Sequence, residues 1–473
     1  MAPSVSAWQS LQGSIGGEVA LPGSESFDRE PPVFNARYHD VRPQAIVRCA
    51  TPEDVAATIT FLSSHGLQHA IRGRGHSFGD YSSTRGVLID TTPMRSVSVA
   101  GDVATVGAGA RSGDVYAALD REGLAIPAGT CPPVGIAGLT LGGGLGILGR
   151  LHGVTSDLLL GAQIVLANGR IVECDENRHT DLFWALRGAG AGNFGVVTAL
   201  VFRTVPAFPA TNIHLSWRAA DMARVIDRWQ QWSPEAPDEL AASLKVTASE
   251  GIEREPGVDV YAAHFGSESD AVELADELIR RVGREPASES RRHVSFAETR
   301  RLWADIDSWD GDGGEPPDET KERPYLFTKS EFFRRPLPAE TIAALAENLV
   351  VGRVPGEARE LDFMPWGGAY NRVRADATAF VHRSERFLLK HAATVSPRTP
   401  ATRKEAAYRR VARSWEIVHP WASGRVFQNF ADPDLDNWAE AYYGPNHDRL
   451  TRVKARYDEG NFFRFHQSVS VRR

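Results

Sequence analysis

The chain has 473 residues, 42% of them apolar, and a net charge of -7, which gives length enough for two domains with large cores. Its 53 basic residues are dispersed, which argues against a nucleic-acid partner, and no apolar run approaches the roughly 20 residues of a membrane span. Three cysteines, Cys49, Cys131 and Cys174, build no disulfide framework and suit a reducing cytoplasm, and the first residues lack the basic and apolar regions of a secretory signal.

Residues 1–40 read as an irregular lead-in. Thr51-Pro52-Glu53-Asp54 is a helix start: threonine caps, proline occupies the first turn and acids follow. Val55, Ile59 and Leu62 give that helix one apolar face, and Gly66 ends it. A strand through Ala70-Ile71 then delivers the chain to Arg72-Gly73-Arg74-Gly75-His76-Ser77-Phe78-Gly79. Glycines allow close backbone approach to a ligand, and successive N–H groups beside Arg72 and Arg74 can form an anion-binding nest; a glycine turn with a surface histidine is the plainer alternative.

A short buried strand follows at 87–89, and 96–99 with 103–106 flank Gly101-Asp102 as a hairpin. Ser112 is expected to cap a helix carrying Val115 and Leu119, closed by Gly123. Cys131 lies between Thr130 and Pro132-Pro133, ahead of a glycine-dense run to Gly146. That is a poor setting for core packing and a good one for contact with a flat ligand. Asn168-Gly169 between 163–166 and 171–173 predicts a hairpin with a type I′ turn. A short helix at 181–186, the glycine run from Gly188 to Gly195 and an apolar strand at 196–202 complete this half, and Pro206 and Pro209 mark a boundary.

Beyond about residue 208 the texture changes. Strand-like runs at 213–217, 258–265, 325–333 and 387–390 alternate with amphipathic helices at 271–282 and 341–351, which predicts an antiparallel sheet with helices on one face. Gly144-Leu145-Gly146-Ile147-Leu148-Gly149 fits G-x-G-x-x-G, but no clear strand precedes it and no acid follows at the expected distance. Asp305, Asp307, Asp310 and Asp312 with Gly313-Gly314 hint at a calcium loop, yet the twelfth position is Lys321 instead of the needed glutamate, so a solvated acidic loop is favoured. Zinc-ligand spacing and a serine-hydrolase elbow are both absent.

The His76 loop and the stretch Cys131-Pro132-Pro133-Val134-Gly135-Ile136-Ala137-Gly138 together resemble the flavin-attachment sites of the berberine-bridge-enzyme-like oxidases, in the vanillyl-alcohol oxidase flavoprotein superfamily. The resemblance extends to the C-terminal run from Tyr442-Tyr443-Gly444 to Gln467-Ser468-Val469. It implies an α+β, two-domain FAD-binding oxidase fold of the PCMH type, with an antiparallel-sheet substrate domain covered by helices. Residues 1–207 and 436–473 would form the FAD domain and 208–435 the substrate domain.

It also implies FAD bound covalently, through His76 to the 8α-methyl and through Cys131 to C6. Further cofactor contacts are expected at Arg72, Gly73, Arg74, Gly75, Ser77, Val134, Gly135, Gly138, Leu139, Thr140, Gly143, Gly144, Gly146, His152, Gly195, Val196, Asn461 and Phe463. The flavin would carry the redox chemistry and the protein its positioning. In the family a small residue three after the cysteine admits oxygen; Val134 therefore implies an oxidase that uses O2 and releases H2O2. The remaining partner is a small-molecule substrate, with neither nucleic acid nor membrane.

Where relatives often carry a tyrosine or histidine after asparagine, this chain has Phe430, which cannot take a proton. His391 falls where plant relatives carry a glutamate or glutamine, and imidazole is a natural base near neutral pH, although a structural histidine is an equal reading. Tyr370 and Asp362 are the other catalytic candidates. Phe427 and Phe430 favour a bulky, apolar secondary metabolite oxidised at an alcohol, C–H or C–N centre. Oxidation of an oligosaccharide hydroxyl is the second reading, and a flavin-loaded binding protein with little turnover the third.

Overall fold

The computed structural model describes residues 3–307 and 322–471. Near the N-terminus a four-stranded sheet runs in the order Glu18–Ala20, Ala45–Arg48, Val87–Asp90, His69–Arg72, the last three parallel to one another. The predicted helix is Pro52–His65. Thr51 Oγ1 accepts from the Asp54 N–H and the Asp54 carboxylate accepts from the Thr51 N–H, both at 3.2 Å, and Gly66 closes the helix at φ 62°. Parallel strands deliver their connecting loops to one edge of a sheet, where ligands are commonly received. The loop after Arg72, which carries His76, leaves from that edge.

A second, five-stranded antiparallel sheet orders Val97–Ala100, Val103–Gly107, Val196–Arg203, Leu159–Val165 and Ile171–Asp175. Two local expectations are corrected here. Only Gly169 takes a positive φ (77°) in the second hairpin; Asn168 instead accepts from the Arg170 N–H at 3.1 Å, so no type I′ turn forms. Ser112 is the first residue of the helix Ser112–Asp120, and its hydroxyl donates to the Val134 carbonyl (3.2 Å), while Asp114 accepts from the Arg111 N–H at 3.1 Å.

The third sheet is the antiparallel one anticipated beyond residue 208. Its order is Ser288–Val294, Ala210–Trp217, Gly257–His264, Leu240–Ala248, Glu357–Pro365, Phe387–Val395, Tyr325–Phe333. The helices Met222–Trp232, Glu268–Val282, Ala339–Val350 and Ala401–Val418 cover one face, packing on Leu215, Leu244, Val260, Phe363 and Leu389. Strands such as Leu240–Ala248 are buried on both faces, which erases the period-two signal that would have revealed them. The opposite face meets the first half of the chain through Ala210, Ala241, Met364 and Leu388.

After this sheet the chain returns. Val426, Ala441, Tyr442, Leu450, Val453 and Val469 join the core of the five-stranded sheet. On this packing we propose the division into 1–207 with 436–473 and 208–435. Among the described residues no helix is long and apolar enough to cross a membrane. Of the acidic run weighed as a calcium loop, Asp305 lies in the helix Phe296–Asp307, whereas Asp310, Asp312, Gly313, Gly314 and Lys321 lie outside the described residues.

The return is fastened by Lys454. Its ammonium, wholly buried, donates to Asp458 Oδ2 (2.7 Å), the Asn193 carbonyl (2.6 Å) and the Phe463 carbonyl (2.5 Å). Removing one partner of a buried pair leaves an uncompensated charge, at a cost of about 3–5 kcal/mol. Lys454→Met is therefore expected to lower the unfolding free energy measured by urea titration by that amount, and to open residues 458–470 to limited proteolysis; an unchanged midpoint would contradict this role.

Candidate active site

His76 sits at the turn of its loop, where Gly75 takes φ 69° and its carbonyl accepts from the Phe34 N–H at 2.9 Å. The imidazole stacks on Phe34 at 3.9 Å between centroids. Burial lowers its pKa to about 4, so the ring is neutral at neutral pH. Phe78 in the same loop stacks on Phe430 at 5.4 Å.

The Cys131 loop is pinned from beneath. The Ser112 N–H donates to the Val134 carbonyl (2.8 Å) and the Ile136 N–H to the Ala110 carbonyl (3.1 Å). The helix Ile136–Leu141 follows, and Asn429 Nδ2 donates to the Leu139 carbonyl at 2.9 Å. That contact draws Phe427–Phe430 over the glycine run. The segment is a turn closed by the Phe430 N–H on the Phe427 carbonyl (2.9 Å). Cys131 is half-buried and in no disulfide.

Both loops open on one cavity of about 1380 Å³. Among the anticipated residues, Arg74, Gly75, His76, Ser77, Cys131, Val134, Gly135, Gly138, Leu139, Gly146, Gly195, Asn461 and Phe463 line it, as do Tyr370 and Asp362. Others stand behind the wall. Arg72 donates to Glu30 and to the Ser82 carbonyl, and the Gly73 carbonyl accepts from Thr92 Oγ1. Gly143 and Gly144 back onto Phe380 and Thr155, Thr140 is buried in its helix, and Val196 packs in the core of the first sheet. His152 ends the short helix Gly149–His152, outside the lining.

His391 is the largest correction. In the strand Phe387–Val395, Lys390 points into the cavity, and the alternation of a strand turns His391 to the helix-covered face. There Nδ1 shares a hydrogen bond with Ser414 Oγ at 2.8 Å, and burial, with Lys329 nearby, lowers the ring to about 3. It is a packed structural histidine. Tyr370 does reach the cavity, but it stacks on Trp366 at 4.1 Å and its hydroxyl donates to the Gly146 carbonyl at 3.2 Å. Burial raises that phenol well above its ordinary value, so it positions the glycine run and is unsuited to act as a base.

In the cavity wall contributed by the third sheet, the anticipated Asp362 and its neighbour Lys390 belong to a charge cluster whose other members sequence reasoning missed, as it missed Lys390. Lys390 Nζ lies 3.0 Å from Asp362 Oδ2 and 3.2 Å from Glu360 Oε1, and Lys245 Nζ lies 3.5 Å from Asp362 and 3.8 Å from Glu360. All four are buried. Burial pushes the Asp362 carboxyl up, but Lys245 and Lys390 outweigh it and hold it below its ordinary value, so it is ionised. Glu360 and Asp362, two residues apart on the strand Glu357–Pro365, share one strand face, and their lysine partners are set by cross-strand register.

Comparison with known proteins gives these features a class. Residues 43–175 match the family described as FAD binding domain, and residues 426–470 the family described as berberine and berberine like. The uncharacterized FAD-linked oxidoreductase YgaK of Bacillus subtilis is 30% identical over 438 residues, 90% of this chain and 91% of its own. A chitooligosaccharide oxidase of Gibberella zeae is 28% identical, covering 94% of this chain and 91% of its own. The solved structure of Physcomitrella patens BBE-like 1 superposes with a TM-score of 0.88 at 27% identity, over 98% of this chain and 99% of that one. The protein is an FAD-linked oxidoreductase. Within that class the chain belongs to the berberine-bridge-enzyme-like family.

The residues present fit FAD. The cavity exceeds the roughly 300–1,000 Å³ of ordinary ligand pockets, leaving room for a dinucleotide and a second molecule. A side chain at Gly138 would meet nothing within 4 Å, so backbone lies bare there. Several lining residues, Arg74 (Nε) and Asn461 (Oδ1) among them, bury a polar atom with no hydrogen-bond partner, as expected of groups that await a polar ligand.

At Gly142 a Cβ would fall 1.8 Å from Asn429 Oδ1. Gly142→Ala should therefore displace the 427–430 turn at a cost of about 1–3 kcal/mol. The measurable consequences are a lower melting temperature and a lower ratio of flavin to protein absorbance; full loading with unchanged melting would show that the turn tolerates the methyl group.

Proposed function

We propose that this protein is an oxidase whose FAD is attached through His76 and Cys131, and which passes substrate electrons to O2 with release of H2O2. The observation that carries the reading is the convergence of these two side chains, from separate loops, on one cavity. An imidazole kept neutral by burial has the nitrogen lone pair that attachment requires. When bound, FAD supplies a two-electron acceptor that O2 reoxidises. Arg74 and Asn461 would hold its polar groups, and Val134, beside Cys131, leaves space for oxygen.

The proton-accepting group is Asp362, in place of His391, because it is an ionised carboxylate in the wall that the third sheet contributes. Phe78, Phe427 and Phe430 give an apolar face opposite, which supports a bulky, apolar substrate. The charged wall favours a second reading, an oligosaccharide hydroxyl, and one relative carries the name chitooligosaccharide oxidase.

Acid denaturation tests the attachment directly. The yellow chromophore should stay with the polypeptide, persist in His76→Ala and in Cys131→Ala, and be released in the double variant; release from the unaltered protein would refute it. Val134→Leu should slow reoxidation of dithionite-reduced enzyme by O2 about tenfold, an added barrier of about 1.4 kcal/mol, in stopped flow. Peroxide release from a panel of aryl alcohols, aryl amines and oligosaccharides separates the substrate readings. With any substrate so found, Asp362→Asn should lose at least about 100-fold in turnover, the usual range for a general base, while His391→Gln keeps it.

A further inference from the structure

The geometry points to Lys390 as a catalytic residue that works with Asp362 on a substrate hydroxyl: Asp362 Oδ1 accepts the proton, and the Lys390 ammonium holds the oxygen it leaves. This rests on the oxidase reading above and narrows it to the oxidation of an alcohol.

Asp362 Oδ1 is buried and without a hydrogen-bond partner, although its sister oxygen Oδ2 is taken by Lys390 at 3.0 Å. An orphaned carboxylate oxygen in a cavity wall costs free energy unless a ligand donates to it. Lys390 lies beside it on the adjacent strand, and its ammonium stands 5.4 Å over the Phe430 ring, so it reaches between the carboxylate and the aromatic face. The wall thus offers an acceptor and a donor side by side, the pattern an alcohol oxygen satisfies with one proton and one lone pair.

Charge balance adds a second argument. The groups facing Asp362 are Lys245 on the strand Leu240–Ala248, Glu360 on its own strand and Lys390 on Phe387–Val395, two cations and two anions in all. When the hydroxyl proton moves to Asp362, the O–H electron pair stays on oxygen. The cluster then carries one excess positive charge, and the oxyanion neutralises it. The pair becomes the C=O bond as the carbon-bound hydrogen leaves with two electrons for the FAD, and O2 then takes up two electrons and two protons to give H2O2. A protonated amine in the same place would meet the like charge of Lys390. Phe430, with no ionisable group of its own, leaves this role to the lysine.

The test needs no knowledge of the natural substrate. Holoenzyme is titrated with 4-chlorophenol at a pH below the phenol's own pKa, and the long-wavelength charge-transfer absorbance of a phenolate against oxidised flavin is followed. The unaltered protein and Lys390→Arg should develop this band. Lys390→Met should weaken the apparent affinity at least about tenfold, as expected for one lost charge-assisted hydrogen bond, with its flavin spectrum retained and its melting temperature lowered by the lost ion pair. Asp362→Asn should bind the phenol without the band. No band in the flavin-loaded unaltered protein, or an equal band in Lys390→Met, would overturn the assignment and leave the cofactor reading standing. A protein that carries no flavin at all would instead defeat the oxidase reading.

Discussion

The buried ammonium of Lys454 closes the structure. Three segments remote in sequence must meet at the cavity: the His76 loop, the Cys131 run and the C-terminal stretch with Asn461 and Phe463. Glycine-rich loops of this kind bury little apolar surface and do not hold one another in place. Lys454 draws the Asn193 and Phe463 carbonyls and Asp458 to a single point, and Asp458 in turn accepts from the Phe462 and Phe463 N–H groups. Gln467 extends the fastening, accepting from Tyr81 beside the His76 loop at 2.5 Å and donating to the Asp432 carbonyl at 2.8 Å. A charge in that position is costly unless every partner is present, which makes the closure nearly all-or-none.

The seven-stranded sheet divides its work by face. Its helix-covered face is an ordinary apolar core and absorbs His391 as a hydrogen-bonded member. Its other face carries Lys245, Glu360, Asp362 and Lys390 into a region walled by aromatic rings. Buried ionic clusters contribute little net stability, because desolvation offsets their attraction. Their presence on the cavity side, at adjoining positions of three neighbouring strands, is better explained by chemistry than by folding.

Local signals survived into the structure where local forces made them. The Thr51–Asp54 box, the Gly66 stop and the hairpin at Gly101-Asp102 rest on neighbours in sequence and formed as anticipated. The strands at 240–248, 288–294 and 357–365 were not legible. The first and last are buried on both faces and show no polar alternation, and Ser288–Val294 is an edge strand of polar residues that reads as a loop. Ser112 and Asn168 mark where a local rule yielded to a competing partner, the Val134 carbonyl in one case and the Arg170 N–H in the other.

The sequence, through its resemblance to the flavin-attachment loops of the family, pointed to the class of cofactor and put forward His76 and Cys131, and both line one cavity. It also determined that an acid, a phenol and an imidazole were the groups from which a base could come. Only the tertiary structure separates their surroundings: it turns His391 onto Ser414, bonds the Tyr370 hydroxyl to the Gly146 carbonyl and leaves Asp362 in the cavity wall. A one-residue step along a strand moves a side chain to the opposite face, so Lys390 and His391 exchange meaning with the direction in which the sheet is laid down. Cross-strand register then paired Asp362 with Lys390 and Lys245, residues far apart in the chain, and packing of the C-terminal segment set Phe430 over them.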